Sequence, residues 1–395
     1  MGIEIGAGNS TTIDVKDAVR EAVSSAVSKL GDAKPLAAYI TSTVDYDAAA
    51  VHAAFRAELG DDVELHGVTT SLGVLTADGV VVGEGGALAC MLFGGEGVSA
   101  CVASSTGEDP VAAGRAVANA VKERCPDTKV MLFNATPGEE EGMLRGIGEV
   151  LPDVPCQGGS AADHAIAGEW WLYQNDGVAK SGVSVLALGG DVKVGTAIIT
   201  PYAATEHQGK VTGGDKRSLR AIDGEPAAQV LNGWLGGGID AQVNGGGNVL
   251  AQTALNPIAI PVDTANGDKH FITVHPAHVH AESGHVDVFA EVNEGQTLCM
   301  LEGTVDGLVT ALPGLVDKSL SHGQMSIDDV KAACLIFCAG CAGAVGGRLD
   351  EGLQQLKGGL GDTPLMGLCT FGEQGYVPGL GSVHQDLSLS LLLLG

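Results

Sequence analysis

Residues 129–160 read KVMLFNATPGEEEGMLRGIGEVLPDVPCQGGS. An apolar run (129–135) gives way to a helical stretch around Glu139 to Leu151, and then to DVPCQG (153–158). The hydrophobic period switches from strand to helix and back within about thirty residues, the length of one β-α-β unit. The same order occurs at LAAYITS (36–42), a helix from Asp47 to Leu59, and DVELHG (62–67). It occurs again at ACLIFCA (333–339), a helix around Leu349 to Leu360, and DTPLMG (362–367). Strand, helix, strand and turn recur in register, which is the mark of an internal repeat.

Each copy runs into a turn of small residues: GVTTSLG (67–73), GGSAAD (158–163) and GLCTFGE (367–373). Parallel strands joined by right-handed crossovers bring their carboxyl ends to one edge. Ligands of open α/β sheets settle at that edge, where glycines let the backbone approach closely. The expectation is one pocket, or two related ones, built from the polar residues of these turns. They are Thr69, Thr70 and Ser71, then Ser160, Asp163 and His164, then Cys369, Thr370 and Glu373. The other use of such glycines is turn geometry alone. Glu373 stands out: in a sensor it would bind an ammonium or hydroxyl group, in an enzyme it would act as general acid or base, and otherwise it caps a turn. His384 is placed to pair with it across the same edge.

An amphipathic helix, IDVKDAVREAVSSAVSKL (13–30), precedes the first copy, and alternating β-rich stretches separate the others: GVSVLALGG (182–190), KVGTAIITPY (193–202), HFITVHPAHVH (270–280) and GHVDVFAEV (284–292). DGEP (223–226) marks a turn, and AAQVLNGWL (227–235) reads as the helix opening a new unit. The expected fold is α/β in two domains, 1–222 and 223–395. It should hold repeated β-α-β elements, mixed sheets and additional antiparallel β-hairpins.

Composition narrows the function. Among 395 residues, 48 acids face 21 bases, a net charge of −27. That field repels phosphate backbones and anionic lipid, so neither nucleic acid nor a membrane surface is an expected partner. Hydrophobic residues make up 45%, enough for a sizeable core, and 60 glycines against 4% aromatics suit tight turns and small-residue packing. Nine cysteines lie in apolar contexts without a disulfide pattern. No apolar signal core opens the chain and no run approaches about 18 apolar residues. The expected setting is a soluble, reducing, cytoplasmic one, or an organelle had a transit peptide been removed. The apolar DLSLSLLLLG (386–395) reads as a core edge strand or a surface for homo-oligomer assembly.

Four of the eleven histidines fall within residues 275–285, HPAHVHAESGH. With AESG (281–284) as a four-residue loop, His280 faces His285 and His278 faces Asp287. Strand alternation then sets His278, His280, His285 and Asp287 on one face, a donor set for zinc, iron or another borderline divalent metal. The alternative is a solvated hairpin tip that binds nothing; an exposed tip also lacks the apolar walls haem needs. CAGC (338–341) has redox spacing, but a redox pair wants its first Cys at a helix start. The next helix reads as beginning near Arg348, so core cysteines are the expectation. Trp170-Trp171 reads as a stacking wall or as packing.

VTGG (211–214) with LRAIDGEPAAQVL (219–231), and GLCTFGEQGYVPG (367–379) with His384 after it, resemble the signature segments of the FIST family (F-box and intracellular signal transduction). HGVTTSLGVL (66–75), GGSAAD (158–163) and NEGQTLCML (293–301) are similar to its turns and its C-terminal Glu-Gly strand. The chain departs from that pattern at His275, where members tend to carry Arg, and at Gln385, where they tend to carry Asn. The resemblance implies a sensor of small molecules such as amino acids. Some bacterial members are described as haem proteins, so haem is the cofactor the resemblance implies, while a divalent metal rests on the histidine hairpin alone. No output module accompanies the resemblance, which implies a signalling partner in trans. A metalloenzyme and a self-assembling structural protein are the competing classes.

Overall fold

The computed structural model describes residues 2–264 and 267–395. Three units follow one plan: an outer strand, a helix, a strand, a second helix, a parallel strand, a hairpin, and a strand that returns to the sheet. In the first unit, strand Pro35–Ser42 runs parallel to Glu64–Thr69, with Leu88–Gly94 and Glu4–Ser10 on the far side. In the second, Thr128–Ala135 runs parallel to Cys156–Ser160, flanked by Val183–Gly190 and Val98–Ser105. In the third, Ala332–Cys338 runs parallel to Leu365–Thr370, flanked by Leu389–Leu394 and Val194–Ile199. The three β-α-β copies read from the sequence are therefore real, and the fold class is α/β with mixed sheets and added antiparallel hairpins.

Local chemistry explains the elements. Asp14, Asp47 and Asp109 cap three of the helices through their carboxylates, accepting from N–H groups of the first turn. Strands Leu88–Gly94, Ala332–Cys338 and Leu389–Leu394 are buried at every position. That burial suits a sheet covered on both faces. One core joins the inner faces of the three sheets, with Tyr39, Phe93, Leu132, Leu186, Ile336 and Leu392 among its members. Helices cover the outer faces, Val19 and Phe55 on the first sheet and Val117 and Ile147 on the second. Each large apolar side chain fully buried in this way stabilises the fold by about 1.5–3 kcal/mol.

Each unit gives its hairpin away. Strands Val74–Thr76 and Gly79–Val81 extend the third sheet, against Leu365–Thr370. Leu172–Gln174 and Gly177–Ala179 extend the first, with Tyr173 opposite Gly67. Glu373–Val377 and Gly381–Gln385 extend the second, with Gln374 opposite Gly158. The exchange closes into a ring of three. Strand Leu389–Leu394 lies inside its sheet, between Val194–Ile199 and Ala332–Cys338. The apolar carboxyl-terminal run is thus core, not an edge or an open assembly surface.

The third unit carries a large insertion between Val194–Ile199 and helix Leu312–Gly323: a nine-stranded antiparallel sheet with short helices. It rests on the ring through buried polar contacts. Arg217 of the insertion reaches Glu140 at 2.7 Å and Glu141 at 2.9 Å. Glu140 is 1% exposed. Burial alone would raise its carboxyl, but Arg217, then His384 and Ser160, hold it down at about 2. Nearby, His270 meets Gln385 at 2.8 Å and Asp386 N donates to Thr273 O at 3.0 Å.

Two outcomes follow for stability. Gly158 lies where a Cβ would overlap the Phe133 carbonyl of the adjacent parallel strand. Gly158→Ala should cost about 3 kcal/mol or abolish folding, read from a urea midpoint. Arg217→Ala leaves two carboxyls without their partner and should cost roughly 3–5 kcal/mol at pH 7. Glu140's contribution is complete above the ordinary carboxylate value of 4.5 and is lost as pH falls towards about 2. The Arg217→Ala deficit should therefore narrow across that window in acid titrations of the melt.

Candidate functional site

The three turns meet at one end of the ring and lock together. Ser71 N donates to Cys369 O (2.9 Å), Ala162 N to Thr69 O (3.0 Å), and Ser160 N to Gly372 O (2.8 Å). Side chains reinforce the joints. Thr69 Oγ1 accepts from Trp171 N (2.9 Å), Thr70 Oγ1 accepts from Cys369 N (2.8 Å), and Gln374 Nε2 donates to Ser160 Oγ (3.1 Å). Thr69, Thr70, Ser160 and Cys369 are fully buried. Asp163 caps its own loop, accepting from the N–H groups of Ala165, Ala167 and Glu169 at 2.9 Å each. These five sequence candidates come together, but the hydroxyls of Thr69, Thr70 and Ser160 and the backbone of Cys369 are spent on the joints, and Asp163 on its own loop.

Over the joint, between ring and insertion, lies a cavity of about 480 Å³. All three turns reach it, through Ser71 and Leu72, His164 and Ile166, and Thr370 and Phe371. The insertion adds Leu250, Leu255, His275 and Phe289. Its walls are mainly apolar. His275 is neutral at neutral pH, because burial lowers it to about 4; its Nε2 donates to Leu250 O at 3.1 Å. Cys338 and Gly340 complete the wall below Asp386.

Asp386 was not among the residues singled out by sequence, and it is the most informative group here. It is 2% exposed, Oδ2 accepts from His275 N at 2.9 Å, and Oδ1 has no hydrogen-bond partner. Burial raises its carboxyl to about 6, against the pull of His384, the His275 N–H and Arg217. His384 Nε2 stands 3.7 Å from Asp386 Oδ1 and 3.9 Å from Glu141 Oε1. Burial disfavours the imidazolium, but Glu140 and Glu141 outweigh it and raise the His384 value. Glu140, Glu141 and His384 would also suit a metal by spacing, but Arg217 already occupies the two carboxylates. The sequence signal for Asp386 is a lone acid at the head of a buried apolar strand; Arg217 and Glu140 lie in charged stretches that read as surface.

Glu373 does not pair with His384. It is fully buried behind the cavity wall, accepting from Thr370 Oγ1 at 2.9 Å and from Ser388 N and Oγ at 3.1 Å each. Burial, with Cys338 nearby, pushes its carboxyl well above the usual range. It pins the third turn to the last strand. His384 bonds Gln374 Nε2 through Nδ1 at 2.8 Å instead. Across a separate groove of about 490 Å³, His384 also faces Glu141 and Asn293.

The helix placed near Arg348 does begin at Leu349, but a short helix that the sequence reading missed, Ala339–Val345, precedes it with Cys338 as its N-cap residue. That is the position a redox cysteine takes, yet the neighbouring Cys341 and burial together push the Cys338 thiol well above its ordinary value. All nine cysteines are free and buried. The histidine hairpin has the expected register, His278 opposite Asp287 and His280 opposite His285. It stands apart from the cavity, on a partly exposed face without the walls a haem requires. Trp171 packs beside Tyr173 in the first sheet's outer layer, and Lys180 sits 4.7 Å over its ring. Trp170 meets Phe371 edge to face.

Among the described residues no helix is long and apolar enough to cross a membrane. No curated protein matches the sequence. Among solved structures, a cyanuric acid hydrolase aligns over 100% of both chains at 6% identity and a TM-score of 0.39. A cyanuric acid hydrolase from A. caulinodans aligns over 100% of this chain and 99% of its own at 7% identity and a TM-score of 0.40. Residues 36–225 match the FIST N domain and residues 227–376 the FIST C domain. The interlocked turns that carry its signature segments, and the match across both domains, make this chain a member of the FIST family.

Proposed function

We propose that this protein is a sensor that binds a small ligand in the cavity between the ring turns and the insertion. The observation that carries the reading is Asp386 Oδ1, a buried carboxylate oxygen without a hydrogen-bond partner on the wall of a mainly apolar cavity. Uncompensated buried carboxyls are expensive and cluster at functional sites. A volume near 480 Å³ lies in the range of small-molecule pockets. The complementary ligand is compact and largely apolar, with an ammonium or comparable donor aimed at Asp386. Ser71 is a further polar residue of the lining.

The two sequence segments, 1–222 and 223–395, act as one unit in this reading. Strand Ala203–Asp215 of the first pairs with Thr297–Glu302 of the second, and the ligand touches both ring and insertion. Output passes to a partner in trans that reads how the insertion sits. Free, buried thiols suit a reducing compartment.

Calorimetry of the full chain against a panel of small primary amines and amino acids tests the reading. Asp386→Asn should weaken a hit at least about tenfold, the range for losing a charge-assisted bond. Because the carboxyl ionises near 6, binding of a cationic hit should strengthen between pH 5 and pH 7. Equal affinity in the variant would overturn the site. Without ligand the variant should be more stable than the parent at pH 7, by on the order of 2–3 kcal/mol. The sign follows from the raised value: a neutral Asp386 favours the fold below its ordinary 3.8, and that favour is lost as pH rises through about 6.

A further inference from the structure

The outer face of the histidine hairpin takes no part in the ring, the cavity or the insertion's core. Strands Pro276–His280 and His285–Val288 send Val279, Val286 and Val288 inward, each no more than 2% exposed. Alternation turns His278, His280, His285 and Asp287 outward. His280 and His285 stack with centroids 3.9 Å apart and planes 18° from parallel. His280 Nε2 is 2.7 Å from Asp287 Oδ2, and His285 Nε2 is 3.9 Å from Asp287 Oδ1. One donor atom from each of the three lies within 4.8 Å of the others. His278 is outside that group, its ring 4.9 Å from that of His280.

We infer that the outer face of this hairpin is a binding site for a zinc-class divalent cation, with His280, His285 and Asp287 as ligands and water completing the shell. Donor atoms around a tetrahedral zinc, each about 2.0–2.2 Å from the ion, stand roughly 3.3 Å apart. The observed separations bracket that value, so modest side-chain rotations on a fixed backbone close the site. Two imidazoles and one carboxylate are the donors such ions prefer. The strand register holds them, and a net charge of −27 draws cations to the surface. A neutral imidazole is the form that binds metal. Arg220 is the local cation that a bound ion must share the face with.

The test uses the full chain, purified without a histidine tag, stripped with a chelator and titrated with Zn²⁺ by calorimetry at pH 7.5. One equivalent should bind saturably, and the His280→Ala and His285→Ala variants should each lose about tenfold or more in affinity. His278→Ala should leave the affinity within about twofold. Binding should weaken in acid, because protons and the metal compete for the same ring nitrogens. Circular dichroism and a thermal melt keep folding separate from binding, and His285→Gln gives a second, milder variant. No saturable Zn²⁺ binding, or unchanged binding in a folded His280→Ala, His285→Ala double variant, would overturn the site. So would loss of binding in His278→Ala with retention in His280→Ala.

Discussion

Every sheet of the ring lacks an edge partner until a neighbouring unit supplies one. The parallel strands Glu64–Thr69, Cys156–Ser160 and Leu365–Thr370 each pair, on their free side, with a hairpin from another unit. An unpaired strand edge exposes a row of N–H and C=O groups that must find partners. No unit meets that requirement for its second parallel strand alone, and three units exchanging hairpins in a circle meet it for all three of those strands. The glycines recur for a reason inside each unit: Gly67 and Gly158 each sit where a Cβ would overlap a carbonyl of the unit's own parallel strand. The exchange consumes the hydroxyls of Thr69, Thr70 and Ser160, residues whose spacing suggested ligand contacts.

What the ring leaves open is the end of its axis, and the insertion covers it. The contact is ionic and buried. Glu140, Glu141 and Asp386 are three carboxyls gathered around Arg217 and His384, whose value the acids raise. Arg217 bonds the first two, and the oxygen without a hydrogen bond belongs to Asp386 on the cavity wall. Burial is expensive for a charge so placed, which accounts for its raised value. A ligand carrying a single positive charge would pair with that oxygen without disturbing the Arg217 clamp.

Much of this was legible in the residues where the governing contacts are local. The helices at Ala48–Leu59, Glu140–Val150 and Leu349–Leu360 match the stretches read from the sequence, because periodicity acts within a few residues, helped at the first by the Asp47 cap. The register of the histidine hairpin was legible for the same reason, a short loop fixing its cross-strand pairs. The hairpin exchange was not, since pairs such as Leu368 with Val74 join distant parts of the chain. Helix Ala339–Val345 was hidden by its glycines and small residues, which weaken the helical period. Asp386 and Arg217 escaped notice because nothing local distinguishes a buried charge from a solvated one; their burial comes from the insertion folding back over the ring.

That same folding back determines how a bound ligand could be felt elsewhere. The insertion leaves the ring after Val194–Ile199 and returns at helices Val305–Thr310 and Leu312–Gly323, so its covalent attachments lie on one side. Tyr202, near the exit, ties it down through its hydroxyl to Ala254 O and Cys341 Sγ. A ligand shifts a conformational equilibrium only by its difference in affinity for the two states. A ligand held by Asp386 alone would bind the ring whether or not the insertion were docked. The second oxygen of Asp386, however, accepts the His275 N–H of the insertion, and Leu250, Leu255 and Phe289 of the insertion form the opposite wall. On the proposed reading, filling the cavity would add contacts that exist only in the docked arrangement, and that difference would be the free energy available for a signal.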